Sequence, residues 1–286
     1  MKIWHPETTC LAGGPKTFVK YFDEYFEKEL VIDYMDADII FGLNNWVPLS
    51  TIQYAKTRGK KYVHRANGVY RDILLNIPDW KERNEEIKPH YLEADHVVFQ
   101  SVFSRQGYFE YIAPTEQYTI IYNGVDTNKY TPELLDRTNC DDREGIILLG
   151  KDLTQKESKI KDTVGLYTRY IPKSLNKYET FDDFILQLHN KYVAIDSDIQ
   201  ANCNNLELEL MALGIPIICL AEGGNPELCL PELISDGTMD SLHDKTDNVF
   251  ENQAFFSKRA RAHVVSHFSI KECMEKYRKV FEEVLK

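Results

Sequence analysis

Residues 206–228 read LELELMALGIPIICLAEGGNPEL. A carboxylate, Glu209, stands in a short apolar helical pattern that ends at Gly214. An aliphatic run follows and ends at Gly223-Gly224. Gly214 suits the left-handed position after a helix, where glycine alone avoids a Cβ clash, and Pro216 blocks any continuation. IICL has the length and branching of a buried strand. Asn225 would cap a new helix, with Pro226 at its first position and Glu227 in its first turn. Gly223-Gly224 would then lie at the carboxyl end of a parallel strand, just before a helix start. Doubly wound sheets bind ligands there, and free amides at such a start favour phosphate or other anions. The same residues also suit a plain strand-to-helix turn.

Gly13-Gly14-Pro15 repeats this logic behind the first strand. Two glycines let backbone approach a ligand closely, although the GxGxxG spacing of dinucleotide folds is absent. GKDLTQK places Lys151 one residue and Lys156 six residues after Gly150, directly behind the strand pattern IILL. Two ammonium groups at the mouth of a sheet suit a diphosphate, as point charges rather than planar forks. A solvated loop is the alternative. Asp36-Ala37-Asp38 is formally a DxD, but it leads into IIFGL and reads as the polar start of a strand. The eight histidines show no HExxH or paired spacing, and no GxSxG elbow occurs. No metal site is expected. His64 sits at a strand end beside Arg65.

These residues need a scaffold, and the chain supplies an alternating one. MKIWH, DADIIFGL, KYVHRA, HVVFQS and QYTIIYNG read as strands, separated by helical stretches such as GGPKTFVKYFDEYFEKEL and VFSRQGYFEYI. GVDTNKYTPELLDRTNCDDRE is polar and turn-rich and reads as a linker. GIILLG opens a second α/β unit, with FDDFILQLHN, KYVAIDS, LELELMALG and IPIICLA following. Two helical stretches, NQAFFSKRARAHVVSHF and IKECMEKYRKVFEEVLK, finish the chain. Such alternation predicts parallel sheets covered on both faces.

The chain has 286 residues, which suits two compact domains of trimmed size. A hydrophobic fraction of 43% fills real cores, and 12% aromatic residues argues against disorder. The net charge of −11 excludes the basic field of a general nucleic-acid binder, while leaving room for a local phosphate pocket. The six cysteines form no CxxC pair and read as reduced packing residues of an intracellular protein. The start MKIWHPETTC has no apolar signal stretch, and no run reaches the roughly 18–20 apolar residues that span a bilayer. The expected location is the cytoplasm, with peripheral membrane contact left open.

Taken together, these segments resemble the retaining glycosyltransferases of the GT-B fold, family 4 (glycosyl transferases group 1). IIYNGVDTNKYTP is similar to that family's N-G-V-D…F-x-P segment at Asn123, Gly124, Val125, Asp126 and Pro132. RANGVY resembles an R-x-D-G-x-Y stretch of one branch, with Asn67 where Asp is usual. GKDLTQK resembles G-R-x(4)-K, with Lys151 in the arginine place. CNNLELELMALGIPI and GGNPEL resemble the C-x-N-x(3)-E-A-x-x-x-G-x-P and G-G-x-P-E segments.

The resemblance implies an α/β architecture of two Rossmann-like doubly wound domains facing a cleft, the second trimmed. It implies an acceptor-side domain over residues 1–130, a nucleotide-sugar-binding domain over 141–265, and a final helix, 266–286, crossing back to the first. It implies that Lys151 and Lys156 hold a diphosphate and that Glu209 accepts hydrogen bonds from ribose hydroxyls. Gly13, Gly14, Asn123, Gly150, Asn205, Gly223 and Gly224 would complete the donor site, while His64, Arg65 and Asn67 would face the sugar. The implied reaction is hexosyl or pentosyl transfer with retention, from a UDP- or GDP-type donor to a glycan, lipid or protein acceptor. Neither a metal nor another cofactor is implied. Two features depart from the family. Its paired acids stand eight positions apart, and eight before Glu209 is Ala201. Glu207 lies about 200° around a helix from Glu209 and does not replace the missing acid. The spacing from Lys156 to Glu209 is short by roughly one βα unit. A non-catalytic nucleotide-sugar or glycan-binding protein on the same scaffold is therefore the alternative.

Overall fold

The computed structural model describes residues 1–7, 14–72, 77–136, 145–149, 173–174 and 180–286. The chain divides into two compact units. Met1–Asn123 with Ile270–Lys286 form the first, and Gly124–Ser269 form the second.

The first unit holds a parallel sheet in the order β1 (Ile3–Trp4), β2 (Ile39–Leu43), β3 (Lys61–Ala66), β4 (His96–Phe99) and β5 (Tyr118–Ile120). Beyond β1, Leu30 makes a parallel bridge to Ile3. Helix α1 (Gly14–Phe26) therefore joins β1 to that outer edge, and the later strands step the other way. The reversal puts a switch point at the carboxyl ends of β1 and β2, the position at which doubly wound sheets open a crevice.

Alternation along the strands splits the core. Ile39, Phe41, Leu43, Val63 and Val98 face α1 and the last helix, α9 (Ile270–Val284). That helix buries Cys273, Met274, Tyr277, Val280 and Phe281, a stripe with helical period. Phe22 stacks on Phe41 at 4.6 Å between ring centroids, and Phe281 lies 5.5 Å from Phe41. On the opposite face Ile40 and Tyr62 meet α2 (Leu49–Thr57), while Ala66, Val97 and Phe99 meet α3 (Trp80–Leu92) and α4 (Val102–Tyr111). Ser101 caps α4 by accepting from the Ser104 amide at 3.0 Å.

The second unit has its own parallel sheet, in the order β10 (Ile234–Ser235), β9 (Ile217–Leu220), β8 (Val193–Asp196), β6 (Ile146–Leu149) and β7 (Lys173–Ser174). The chain steps from β6 to β7 and then back past β6 to β8. Its switch point thus lies between β6 and β8, where Leu149 is the register partner of Asp196. The helices are α5 (Phe181–Leu188), α6 (Asn205–Ala212), α7 (Met239–Glu251) and α8 (Gln253–His267). Thr180 and Asp183 close a capping box on α5.

The structure corrects the sequence reading in places. Residues 124–136 are packed into the second unit and are not a free linker: Val125 donates to the Phe268 carbonyl at 2.9 Å, and Tyr130 is buried. The first unit accordingly ends at Asn123, and the last helix begins at Ile270. Helix α7 and strand β10 lie outside the elements that the sequence pattern predicts. The apolar stripe of α7 is thin, with Leu242, Thr246 and Val249 as its buried residues, and β10 is too short for any period. The DxD reading stands as local structure, since Asp38 precedes β2 and accepts from the Lys2 amide at 2.7 Å.

Candidate functional site

In the second unit, the carboxyl edge of the sheet carries the acids. Asp196, the last residue of β8, is fully buried. Its Oδ1 accepts from the Asp198 amide at 2.8 Å and its Oδ2 from Asn204 Nδ2 at 3.0 Å. Asn204 turns its other end to α6, capping it by accepting from the Leu206 amide at 3.1 Å. One amide side chain thus ties the strand end to the helix start.

Helix α6 buries residues on every side, including Glu207 and Glu209. The two carboxylates point apart and meet different surroundings. Glu207 is 0% exposed; Cys229 Sγ donates to its Oε1 at 3.9 Å, while its Oε2 has no partner among the described residues. Burial, reinforced by Asp196, pushes the Glu207 carboxyl well above the usual range, and burial likewise pushes Asp196 up to about 6. Glu209 is 7% exposed. Its Oε1 accepts from the Tyr130 hydroxyl at 3.1 Å. Burial pushes it up to about 7, against the pull of Tyr130 and Lys129 toward the charged form. It therefore changes charge near neutrality.

The sign of the stability effect follows from those directions. A carboxyl raised by burial binds its proton more tightly in the folded chain than in the unfolded one. The associated stability is present at low pH and is lost as pH rises, from about 4 through about 6 for Asp196 and in the same direction for Glu207. Glu207→Gln keeps the shape and removes the ionisation. It should raise the stability of the second unit at pH 8 by roughly 1–3 kcal/mol and flatten its decline between pH 5 and 8. Thermal unfolding at both pH values measures this, and a destabilised variant at pH 8 contradicts it.

Gly214 takes the expected left-handed conformation, with φ 75°. The pair Gly223-Gly224 does something other than open a helix. No α-helix starts there; a single 3₁₀ turn, Asn225–Glu227, follows. Asn225 makes no cap, and its Nδ2 donates to the Asp198 carbonyl at 3.0 Å. The Gly224 amide is taken by the Ala201 carbonyl at 2.8 Å. A Cβ on Gly224 would sit 2.4 Å from the Asn202 carbonyl oxygen, and one on Gly223 would sit 2.7 Å from that of Ile199. The glycines let two backbone segments of the chain touch. Asn205, in the first turn of α6, is half-buried. Gly13, Gly150, Lys151 and Lys156 lie outside the described residues.

The first unit gathers Arg65, Asn67 and Asn123 at the carboxyl ends of β3 and β5. Arg65 is 2% exposed. Its Nε donates to the Tyr277 hydroxyl at 3.1 Å, Nη2 donates to Asn123 Oδ1 at 2.7 Å, and Nη1 donates to Asn67 Oδ1. The Phe18 ring lies under the guanidinium at 3.9 Å. Gln100 Nε2 adds a second donor to Asn67 Oδ1 at 3.1 Å. Asn44, with φ 46° at the end of β2, accepts from the Asn67 amide at 2.8 Å and from the Tyr108 hydroxyl at 3.1 Å. Asn67 and Asn44 are the half-buried members of this group. Gly14 opens α1 and is exposed.

His64 does not join them. It points to the other face of the sheet, is fully buried, and hydrogen-bonds the Tyr62 hydroxyl through Nδ1 at 3.0 Å. The Tyr62, Tyr91 and Tyr108 rings surround it. Burial, with His90 nearby, pushes its ring down to about 3, so it is neutral at physiological pH.

Sequence reasoning missed Tyr130, Gln100, Tyr277 and Asp196. Tyr130 had a signal, because it stands at the aromatic position of the N-G-V-D…F-x-P pattern with a hydroxyl added. Gln100 and Tyr277 are long-range partners with no local mark, whereas Asp196 bonds within its own loop and shows in the sequence only as a charged end to the apolar run VAI. No group of three His, Cys, Asp or Glu side chains placed to hold a metal occurs among the described residues, and none of their helices is long and apolar enough to cross a membrane.

No family model matches the sequence, and no curated protein matches it. The fold does have solved counterparts. HepE from Anabaena, in complex with UDP, is 12% identical with a TM-score of 0.70, covering 99% of this chain and 100% of that one. Sucrose-phosphate synthase from Thermosynechococcus elongatus is 12% identical with a TM-score of 0.65, covering 96% and 80%. A glycosyltransferase from Rickettsia africae is 18% identical with a TM-score of 0.64, covering 99% and 85%. With two Rossmann-like α/β units, each built on a parallel sheet, the chain has the fold of the GT-B glycosyltransferases.

Proposed function

We propose that this protein is a glycosyltransferase that moves a sugar from a nucleotide-diphosphate donor to an acceptor with retention of configuration. The donor binds mainly to the second unit. The observation that carries the reading is Glu209, a largely buried carboxylate on α6 whose Oε1 is held by the Tyr130 hydroxyl and whose Oε2 has no hydrogen bond from the described residues. A vicinal diol, such as a ribose, supplies the donors such an oxygen takes. The fold supports the reading, since HepE has been solved with UDP and with UDP-glucose.

In this proposal Lys151 and Lys156 bind the diphosphate and stabilise it as it leaves, with electrostatic stabilisation carrying the chemistry and no metal required. Asn67, steadied by Arg65, Gln100 and Asn44, is the first-unit side chain that meets a ligand. His64 supports the sheet from behind. The expected location is the cytoplasm.

Calorimetry with UDP, GDP and ADP, together with nucleotide-sugar hydrolysis assays, tests the whole. Absence of binding at millimolar nucleotide with no hydrolysis refutes it. Glu209→Gln should weaken UDP binding by about 3- to 30-fold, the worth of one or two hydrogen bonds to a charged acceptor. It should matter little for 2′,3′-dideoxy-UDP, and an unchanged preference between the two removes the ribose assignment. Lys156→Ala should weaken diphosphate binding more than nucleoside binding.

A second reading is favoured by Ala201, which stands where the family's first acid would be. A binding protein without transferase activity would take up nucleotide yet turn over no donor in a panel.

A further inference from the structure

We propose that Tyr130 is a positioning residue for the donor. Its hydroxyl holds one oxygen of Glu209 so that the other is presented to the ligand. The inference rests on the ribose reading of Glu209 and adds the device that sets its geometry. Tyr130 is buried, and its hydroxyl reaches across 79 positions of sequence to Glu209 Oε1 at 3.1 Å. Since Oε1 is occupied, Oε2 is the oxygen that remains.

The backbone carrying Tyr130 is fixed to the helix carrying Glu209. Arg261 on α8 donates through Nη1 to the Tyr130 carbonyl at 2.5 Å and to the Ala212 carbonyl at 2.9 Å. Its Nη2 donates to the Thr127 carbonyl at 2.6 Å. One planar guanidinium thus bridges residues 127–130 to the last turn of α6. A lysine, with its point charge, could not span those three acceptors. The Tyr130 ring is seated against Phe181 and Phe184 of α5, at 5.4 and 6.4 Å between centroids. Lys129 lies over Phe181 at 4.4 Å. Backbone, ring and hydroxyl are each held by a different partner, so the hydroxyl has little freedom to leave Glu209.

Among the described residues, the charged and titratable groups at this corner are few. Lys129 and the Tyr130 hydroxyl come from the segment before the sheet, and Arg261 comes from α8. Both Lys129 and Tyr130 favour the ionised carboxylate. Donor binding that needs a carboxylate acceptor strengthens as pH rises through the titration of Glu209. Removing the Tyr130 hydroxyl weakens the hold on the charged form and moves that midpoint to higher pH.

The test is UDP binding by calorimetry from pH 5.5 to 9 with the wild type, Tyr130→Phe, Glu209→Gln and the double variant. Tyr130→Phe should bind UDP about three- to tenfold more weakly at pH 6.5–7, the worth of one hydrogen bond. It should recover most of the loss by pH 9 and shift the midpoint upward. In the Glu209→Gln background the same change should have no further effect. Equal weakening at every pH, or an unshifted midpoint while Glu209→Gln still discriminates UDP from its dideoxy analogue, overturns the Tyr130 proposal and leaves the ribose reading standing. If Glu209→Gln treats the two ligands as the wild type does, the ribose reading fails and takes this proposal with it. Arg261→Lys adds a check. It should lower UDP affinity and shrink the effect of Tyr130→Phe, because the hydroxyl would no longer be held in place.

Discussion

Gly224→Ala should destabilise the second unit by about 3 kcal/mol or more, because overpacking against a rigid backbone belongs to the severe class of single substitutions. The new Cβ would stand 2.4 Å from the Asn202 carbonyl oxygen and 2.7 Å from that of Ala201. Both obstacles are backbone, so no side-chain rotation relieves them. The Gly224 amide also donates to the Ala201 carbonyl at 2.8 Å, and moving the loop away breaks that bond. Gly59→Ala is the internal control. Gly59 has φ 75°, yet nothing lies within 4 Å of its Cβ position. It should cost only the left-handed strain, about 1–2 kcal/mol. Gly223 combines both penalties, with φ 76° and the Ile199 carbonyl oxygen 2.7 Å away. Thermal unfolding ranks the three, and hydrogen exchange should rise at 197–204 and 217–225 in Gly224→Ala. If Gly224 were free space for a phosphate, its alanine variant would fold normally and lose ligand instead. Normal stability with lost nucleotide binding would therefore reverse the packing assignment.

That contrast shows what the sequence carried. Gly223-Gly224 was legible as a place of close approach, and it is one. What approaches it is the chain's own 199–202 segment, and nothing local in GGNPEL encodes that. The strands IIFGL, HVVF and IICL were legible because parallel strands covered on both faces read as plain apolar runs. The last helix was legible from its wide apolar stripe, whereas α7, with Thr246 among its few buried residues, was not. In the site, Glu209 was legible as a carboxylate in an apolar helix. Its environment was not, since Tyr130 lies 79 positions away. Likewise Glu207 could be placed on the far side of the helix from Glu209, but its contact with Cys229 and its proximity to Asp196 depend on how β8, β9 and the 225–233 turns pack. His64 and Arg65 are adjacent in sequence, and the family pattern places both toward the sugar. A strand puts neighbours on opposite faces, so one joined the tyrosine core and the other the Asn67 group.

Arg65 gives the second large effect, and there the conservative change should be the worse one. The guanidinium is almost wholly buried, yet among the described residues no carboxylate pairs with it. Three neutral oxygens and one aromatic face replace its water. Such a charge is tolerable only because a planar fork reaches Tyr277, Asn67 and Asn123 at once. Arg65→Lys keeps the charge and loses most of the fork. A compact, strongly hydrated ammonium would be buried with one or two acceptors instead of three. The expected loss is about 3–5 kcal/mol, the range for a buried charge stripped of partners. Arg65→Met removes the charge and retains an apolar stem against Phe18. It should cost less, about 1–2 kcal/mol, mostly from lost hydrogen bonds to Asn123 and Tyr277. Trp4, Trp46 and Trp80, the only tryptophans in the sequence, all fall in the first unit, so their fluorescence reports its unfolding directly. A lysine variant as stable as the wild type, or a methionine variant less stable than the lysine one, would mean that the three acceptors do not carry the charge. In both variants Asn67 keeps its bond from Gln100. Any loss of ligand binding beyond the loss of stability would then measure how far Arg65 itself orders Asn67.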